Sequence, residues 1–300
     1  MATRREFLKA TTALTLAGCA GPTVVCGNRA PVVVDTHLHC FAGKDDPRFP
    51  YHPNGPYKPD AAATPERLLE LMDGAGVDRA IVVHPEPYQD DHRYLDHCLA
   101  VGKGRLKGTC LFFAGRAQGM ADLVKRLPIV AGRIHAYAPE RLPPFGKPEL
   151  RALWKQIADL GLMVQLHFEP KHAPGFEPLI REFPGTTVIV DHLGRPLQGT
   201  PEEHAIVVGW GKLKNTVIKF SAFAPSSQYP HRDIAPSVRQ LADAFGPDRM
   251  IYGGGFDEKA TADSYRAARE KVRSFIGHFS ADDQAKVLGG TAARLFQFTS

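Results

Sequence analysis

The sequence predicts a single (β/α)8 barrel preceded by an export signal, and three observations carry that reading. From Pro31 onward, eight short β-branched runs alternate with longer amphipathic ones in one uninterrupted series. Six of the thirteen histidines, His37, His39, His84, His135, His167 and His192, close those short runs, which is where a barrel gathers its active groups. The first run ends in His37-Leu38-His39 instead of the Gly-x-Gly-x-x-Gly turn expected of an open doubly wound sheet. A chain of 300 residues with 43% hydrophobic content can fill one such core.

Residues 1–30 read as a leader and short linker, and residues 31–300 as the barrel. Thr3-Arg4-Arg5-Glu6-Phe7-Leu8-Lys9 matches a twin-arginine export signal and precedes a mildly apolar stretch from Ala10 to Gly18. Leu16-Ala17-Gly18-Cys19 also resembles a lipobox, in which Cys19 would carry a lipid anchor; plain cleavage near Gly18 to Ala20 is the alternative. The expected location is the periplasm or the cell envelope. Twin-arginine substrates usually cross the membrane folded, often with a metal or cofactor already loaded.

The eight strands are expected over Val32–His37, Arg79–His84, Lys107–Phe113, Val130–His135, Leu162–Phe168, Thr187–His192, Thr216–Ser221 and Arg249–Gly253. Thr64-Pro65-Glu66-Arg67 opens the first helix, with an N-cap threonine and a first-turn proline. Later helices are expected over Tyr94–Val101, Met120–Arg126, Pro148–Leu160, Phe176–Phe183, Ile234–Phe245 and Ala260–Phe275, while Glu202–Trp210 is only moderately helical. The Pro-, Asp- and Tyr-rich stretch Phe41–Ala63 is expected to hang over the mouth as a lid, with Tyr51, His52 and Tyr57 placed to touch substrate; a purely structural loop is the alternative.

Composition narrows the partners. The formal charge of +5 is scattered, and no basic run with interleaved aromatics points to nucleic acid. No apolar stretch is long enough to span a bilayer. Cys19, Cys26, Cys40, Cys98 and Cys110 contain no Cys-x-x-Cys pair, against a zinc ribbon or a thioredoxin-like centre. An oxidising compartment would permit a disulfide, but the spacing selects no pair. Cys40 is expected to pack rather than react.

The chemistry begins at Asp35-Thr36-His37-Leu38-His39, where alternation along a strand would put Asp35, His37 and His39 on one face. Two imidazoles side by side there are half a metal site. His167 and His192 end two later runs about one strand–helix step apart, so all four histidines would converge on one mouth. Buried histidines satisfied by backbone are the plain alternative. Arg133, Arg195 and Lys219 offer cations near the mouth, as a carboxylated or polyhydroxylated small molecule would require; Arg133 and Lys219 are equally well read as ion-paired inside the barrel.

The motifs Val34-Asp35-Thr36-His37-Leu38-His39, Gly132-Arg133-Ile134-His135, Asp191-His192-Leu193-Gly194-Arg195-Pro196 and Phe245-Gly246-Pro247-Asp248-Arg249 follow in order. Together with Gly290-Thr291-Ala292-Ala293-Arg294-Leu295-Phe296, they make the chain resemble the amidohydrolase superfamily, in its branch of lactonases and decarboxylases, from Val32 to Phe296. The resemblance implies that His37, His39 and His167 hold a divalent metal, often zinc, and that His192 assists or polarises the substrate carbonyl. Some lactonases of the branch keep these histidines and work without metal. His84 and His135 have no ligand role in the pattern and read as pocket lining.

One departure bears on mechanism. The family ends its eighth strand in an aspartate that binds metal or serves as base, and the matching position here is Gly255, within Tyr252-Gly253-Gly254-Gly255-Phe256-Asp257. Three readings follow. Asp257 substitutes, although it sits about 6–7 Å further along an extended chain. Or a metal held by histidines alone, or His192 itself, activates water. Or chemistry is lost and the pocket only binds. Asp35 is expected as an acceptor that orients an imidazole, and Glu169 falls in the loop after its strand. The leading expectation is an exported hydrolase opening a small lactone or cyclic ester, with His192 or Asp257 as proton acceptor and Tyr51, His84, Arg133, Arg195 and Lys219 around the substrate. A decarboxylase of the same superfamily and a periplasmic binding protein are the alternatives.

Overall fold

A computed structural model describes residues 30–137, 142–221 and 233–298; the segments read as an export signal and as a lipobox at Cys19, and Cys26, lie outside the described residues. Each expected run forms a strand: β1 (Val34–Leu38), β2 (Arg79–Val83), β3 (Leu106–Leu111), β4 (Ile129–Ala136), β5 (Met163–Phe168), β6 (Val188–Val190), β7 (Thr216–Phe220) and β8 (Met250–Tyr252). All neighbours pair in parallel and in chain order, giving a nearly closed eight-stranded barrel. The helices α1 (Pro65–Ala75), α2 (Arg93–Gly102), α3 (Met120–Arg126), α4 (Pro148–Asp159), α5 (Ala173–Glu182), α6 (Pro201–Gly209), α7 (Ala235–Phe245) and α8 (Ala262–Phe275) lie between and after the strands, and the short α9 (Ala281–Ala285) and α10 (Thr291–Leu295) complete the described chain. No helix among the described residues is long and apolar enough to cross a membrane.

Local chemistry explains the helix ends. Thr64 accepts a hydrogen bond from Arg67 N–H, and Gly76 closes α1 in a left-handed conformation with φ 70°. The weakly patterned segment after His192 is a true helix, fixed at its start by reciprocal bonds between Thr200 and Glu203. That capping pair is visible in the sequence, although the hydrophobic pattern of α6 is not.

The barrel interior is layered. Val34, Ile81, Val83, Ile189, Val217 and Ile251 form an apolar floor, stopped at its amino end by Ala292 of α10 and by Phe296. Above it lies a charged layer built on Asp191, Arg133, Gln165 and Lys219, all at most 3% exposed. Asp191 Oδ2 accepts from Arg133 Nε at 3.0 Å and Gln165 Nε2 at 2.9 Å, while Lys219 Nζ lies 3.2 Å from Oδ1 and donates to Thr36 O. Thr109 Oγ1 donates to Gln165 Oε1 at 3.1 Å. The network therefore braces β1, β3, β4, β5 and β7 around the carboxylate at the end of β6. The imidazoles form the third layer, at the mouth.

The closure between β8 and β1 relies on side chains. Thr36 Oγ1 donates to Tyr252 O at 2.6 Å and Asp35 Oδ1 accepts from Gly254 N–H at 2.7 Å. A Cβ at Gly253 would fall 2.7 Å from His37 N, so only glycine lets the strands come this close.

Candidate active site

The first strand does not keep simple alternation. Between Asp35 and Leu38 its register slips against β2, three residues advancing where the partner advances two. This bulge inverts the parity, as an extra residue must. Asp35 consequently faces α8, where its Oδ2 accepts from Tyr265 O–H at 2.6 Å, while His37 and His39 line the mouth. The expectation that Asp35 shares their face and orients an imidazole is corrected: its Oδ1 holds the backbone N–H of His37 instead.

His192 also departs from expectation. β6 stops at Val190, and His192, Leu193, Gly194 and Arg195 follow with φ of 53°, 58°, 67° and 55°. Left-handed conformations at three residues with side chains, His192, Leu193 and Arg195, are strained, and such strain gathers at functional sites. Here it turns His192 back over the barrel mouth, with its Nδ1 3.0 Å from Ser221 Oγ.

Five imidazoles thereby form a continuous row. Ring centroids are separated by 5.1 Å from His39 to His37, 4.5 Å from His37 to His192, 5.1 Å from His192 to His167 and 5.0 Å from His167 to His135. His39 Nδ1 donates to Val83 O at 2.7 Å, which leaves the lone pair on Nε2. Burial drives the rings toward neutrality: His39 falls to about 4 and His192 to about 3, and His37 and His167 go well below the ordinary histidine value. Burial alone would raise the Asp191 carboxyl, but Lys219, Arg133 and His37 outweigh it and hold the group well below the usual carboxylate range.

The row forms one wall of a cavity of about 650 Å³, together with Glu86, Arg133, Tyr137, Arg195, Asp257 and Lys271. Arg195 stacks on the Tyr137 ring with its guanidinium carbon 4.0 Å from the centroid, and also reaches Gln198. The lid contributes Phe41 and Tyr57. Tyr51 does not line this cavity; its hydroxyl donates to Pro59 O. His84 is sealed by stacking on His92 at 4.3 Å and by a bond to Gln89 O. Lys219 is fully buried in the charged layer below. Of the cations expected near the mouth, Arg133 and Arg195 line the cavity; Lys219 braces the barrel.

Asp257 is exposed at the rim, where its Oδ1 accepts from Lys259 N–H. The three glycines do not fold it back onto the imidazoles. Gly255 has φ 124°, and a Cβ there would lie 2.7 Å from the Tyr265 ring and 3.0 Å from Ala268 Cβ. Any side chain at that position would point into α8, away from the row.

The residues fit a divalent cation in donor chemistry. His37, Asp191 and His192 offer one ligand atom each within 4.8 Å of one another. Within this cluster His37 Nδ1 and Asp191 Oδ1 are buried without a hydrogen-bond partner, a condition that an ion bound there would relieve. The nearby positive charges of Arg133 and Lys219 oppose a further cation and would weaken its hold. Of the expected triad only His37 belongs to this cluster; His39 and His167 flank it in the row. Asp191 received no role from the sequence, although an acid closing the run Val188-Ile189-Val190 was the available signal. Glu86 gave no such signal, because its position in the mouth depends on the turn after β2.

A family model described as Amidohydrolase matches residues 34–298. A 2-pyrone-4,6-dicarboxylate hydrolase from Comamonas testosteroni is 28% identical over 88% of this chain and 89% of its own length. A 4-sulfomuconolactone hydrolase from Rhizobium radiobacter is 25% identical over 87% and 89%. The structure of an amidohydrolase from Burkholderia multivorans with bound zinc superposes with a TM-score of 0.65 at 17% identity, covering 89% of this chain and all of that one; at that identity the likeness speaks for the fold.

Proposed function

We propose that this chain, which belongs to the amidohydrolase family, is a hydrolase that opens a small lactone bearing a carboxylate or a comparable anionic group. One observation carries the proposal: a row of imidazoles, with His37, His39, His167 and His192 lowered by burial, walls a cavity that also holds Arg133, Arg195 and Lys271. Such a cavity matches a substrate with a polar carbonyl at one end and an anion at the other. The relatives that align along most of the chain hydrolyse a pyrone dicarboxylate and a sulfomuconolactone, which supports ring opening over decarboxylation.

Arg195, braced on Tyr137, is suited to hold the anionic group, with Lys271 at the rim adding charge. The lone pairs and N–H groups of the row are suited to receive the lactone carbonyl, and Arg133 would supply positive potential from below as negative charge grows on the carbonyl oxygen. Phe41 and Tyr57 add apolar surface to the cavity lining beside the substrate. A divalent metal, for which we propose zinc held by His37, Asp191 and His192, would polarise the carbonyl and acidify a water molecule when bound.

The test is hydrolysis of a panel of carboxylated and neutral lactones, assayed with and without chelation, beside a set of aromatic acids for decarboxylation. Carboxylated lactones should turn over, and Arg195→Ala should raise their KM by roughly tenfold or more while leaving neutral lactones little changed. Binding of these lactones without turnover would sink the proposal, as would release of carbon dioxide alone.

A further inference from the structure

Lactone opening needs a group that takes a proton from water, and the carboxylates of the molecule can be sorted by position. Asp35 lies behind the sheet, held by His37 N–H, Gly254 N–H and Tyr265 O–H. Asp191 lies beneath the cavity, committed to Arg133 and Lys219. Asp257 is exposed and turned to Lys259 N–H. Among the described residues the carboxylates that line the cavity are Asp257 and Glu86, and Glu86 is the buried one, at 5% exposure.

We propose that Glu86 is the general base of this site, a reading that rests on the lactone-hydrolase proposal above. Its Oε1 stands 3.4 Å from His135 Nδ1, which in turn is 3.2 Å from His167 Nδ1, so the carboxylate meets the imidazole row at the end remote from His39. The local chain makes this placement rigid. Pro85 and Pro87 fix φ on either side, and the Glu86 carbonyl accepts both Gln89 N–H at 2.9 Å and Gln89 Nε2 at 2.8 Å. Pro87 O, next in the same turn, accepts His52 N–H from the lid at 2.8 Å. A buried carboxylate on a doubly pinned turn is a preorganised proton acceptor.

In the proposed step, the Glu86 carboxylate accepts a proton from water as the water oxygen bonds to the lactone carbonyl carbon. When the tetrahedral species collapses, the carbon–ring-oxygen bond breaks and Glu86 returns that proton to the departing oxygen. The product is the ring-opened hydroxy acid or its keto tautomer, and no other reactant is consumed.

The experiment compares wild type with Glu86→Gln, Glu86→Asp and Glu86→Ala on a lactone that the wild type hydrolyses, with folding checked by circular dichroism. Glu86→Gln should lower kcat by about 10²–10⁴-fold, leave KM within a few-fold, and abolish the acid limb of kcat against pH. Glu86→Asp should keep part of the activity, and formate should restore turnover to Glu86→Ala. A merely structural glutamate would show no formate rescue and an unchanged acid limb. Full activity in Glu86→Gln, or loss of activity confined to Asp257→Asn, overturns the assignment while leaving the lactonase reading intact. A wild type inactive on every lactone overturns the lactonase reading itself, and the assignment with it.

Discussion

At the scale of single residues, burial in and beside the mouth pushes several histidines toward the uncharged form. His37, His84 and His167 are held well below the ordinary histidine value, and His92 is lowered to about 4, in each case chiefly by burial. A histidine whose pKa is lower folded than unfolded leaves the unfolded chain binding more protons between the two values, so stability rises with pH through that window. Stability should therefore be complete above about pH 6.5 and fall steadily toward pH 4, each such imidazole contributing up to about 1.4 kcal/mol per pH unit. Urea midpoints measured from pH 7.5 to 4.5 check this. A flat profile would mean that the rings are already protonated or solvated in the folded protein.

Secondary-structure elements decide which of these residues meet. The bulge in β1 sends Asp35 outward to Tyr265 and the two histidines inward, and the left-handed run after β6 brings His192 over them. The end of β8 works by subtraction: Gly253 allows the backbone of β1 to approach, and Gly255 occupies a conformation that side chains resist. Restoring an aspartate at position 255 is accordingly expected to fail as a gain of function. Gly255→Asp should cost about 2 kcal/mol through the positive φ and the clash with Tyr265, and should raise neither turnover nor metal content. Chemical denaturation with elemental analysis of the purified variant reads both. A variant of unchanged stability that binds more metal would show that the backbone there rearranges.

For the molecule as a whole, the charged layer between the apolar floor and the mouth is the structural commitment. Asp191 is contacted by Arg133, Gln165, Lys219 and His37, which come from four different strands, so one carboxylate links much of the barrel. Removing its charge leaves two buried cations facing each other across a neutral amide. Asp191→Asn should destabilise by about 3–5 kcal/mol, the cost of breaking a buried ion pair from one side. The double change Asp191→Asn with Lys219→Met should recover part of that loss, because one uncompensated charge goes with it. Denaturant midpoints of the two variants test this, and equal stabilities would show that the layer is not electrostatically coupled.

Much of this design can be read directly from the chain, because it is periodic or local. Alternating β-branched and amphipathic runs determine eight strands and the helices between them, Thr64 and Pro65 determine where α1 starts, and histidines closing successive runs determine that imidazoles gather at one end. Strand parity failed at β1 because one inserted residue reverses every side chain beyond it, and a sequence does not mark the insertion. Only the tertiary structure decided that Lys219 braces the interior while Arg195 reaches the cavity, that Asp257 stays at the rim, and that Glu86 enters the mouth. The physical reason is range: backbone periodicity acts over a few residues, whereas the partner of a buried charge is supplied by strands dozens of positions away and is known only once the barrel has closed.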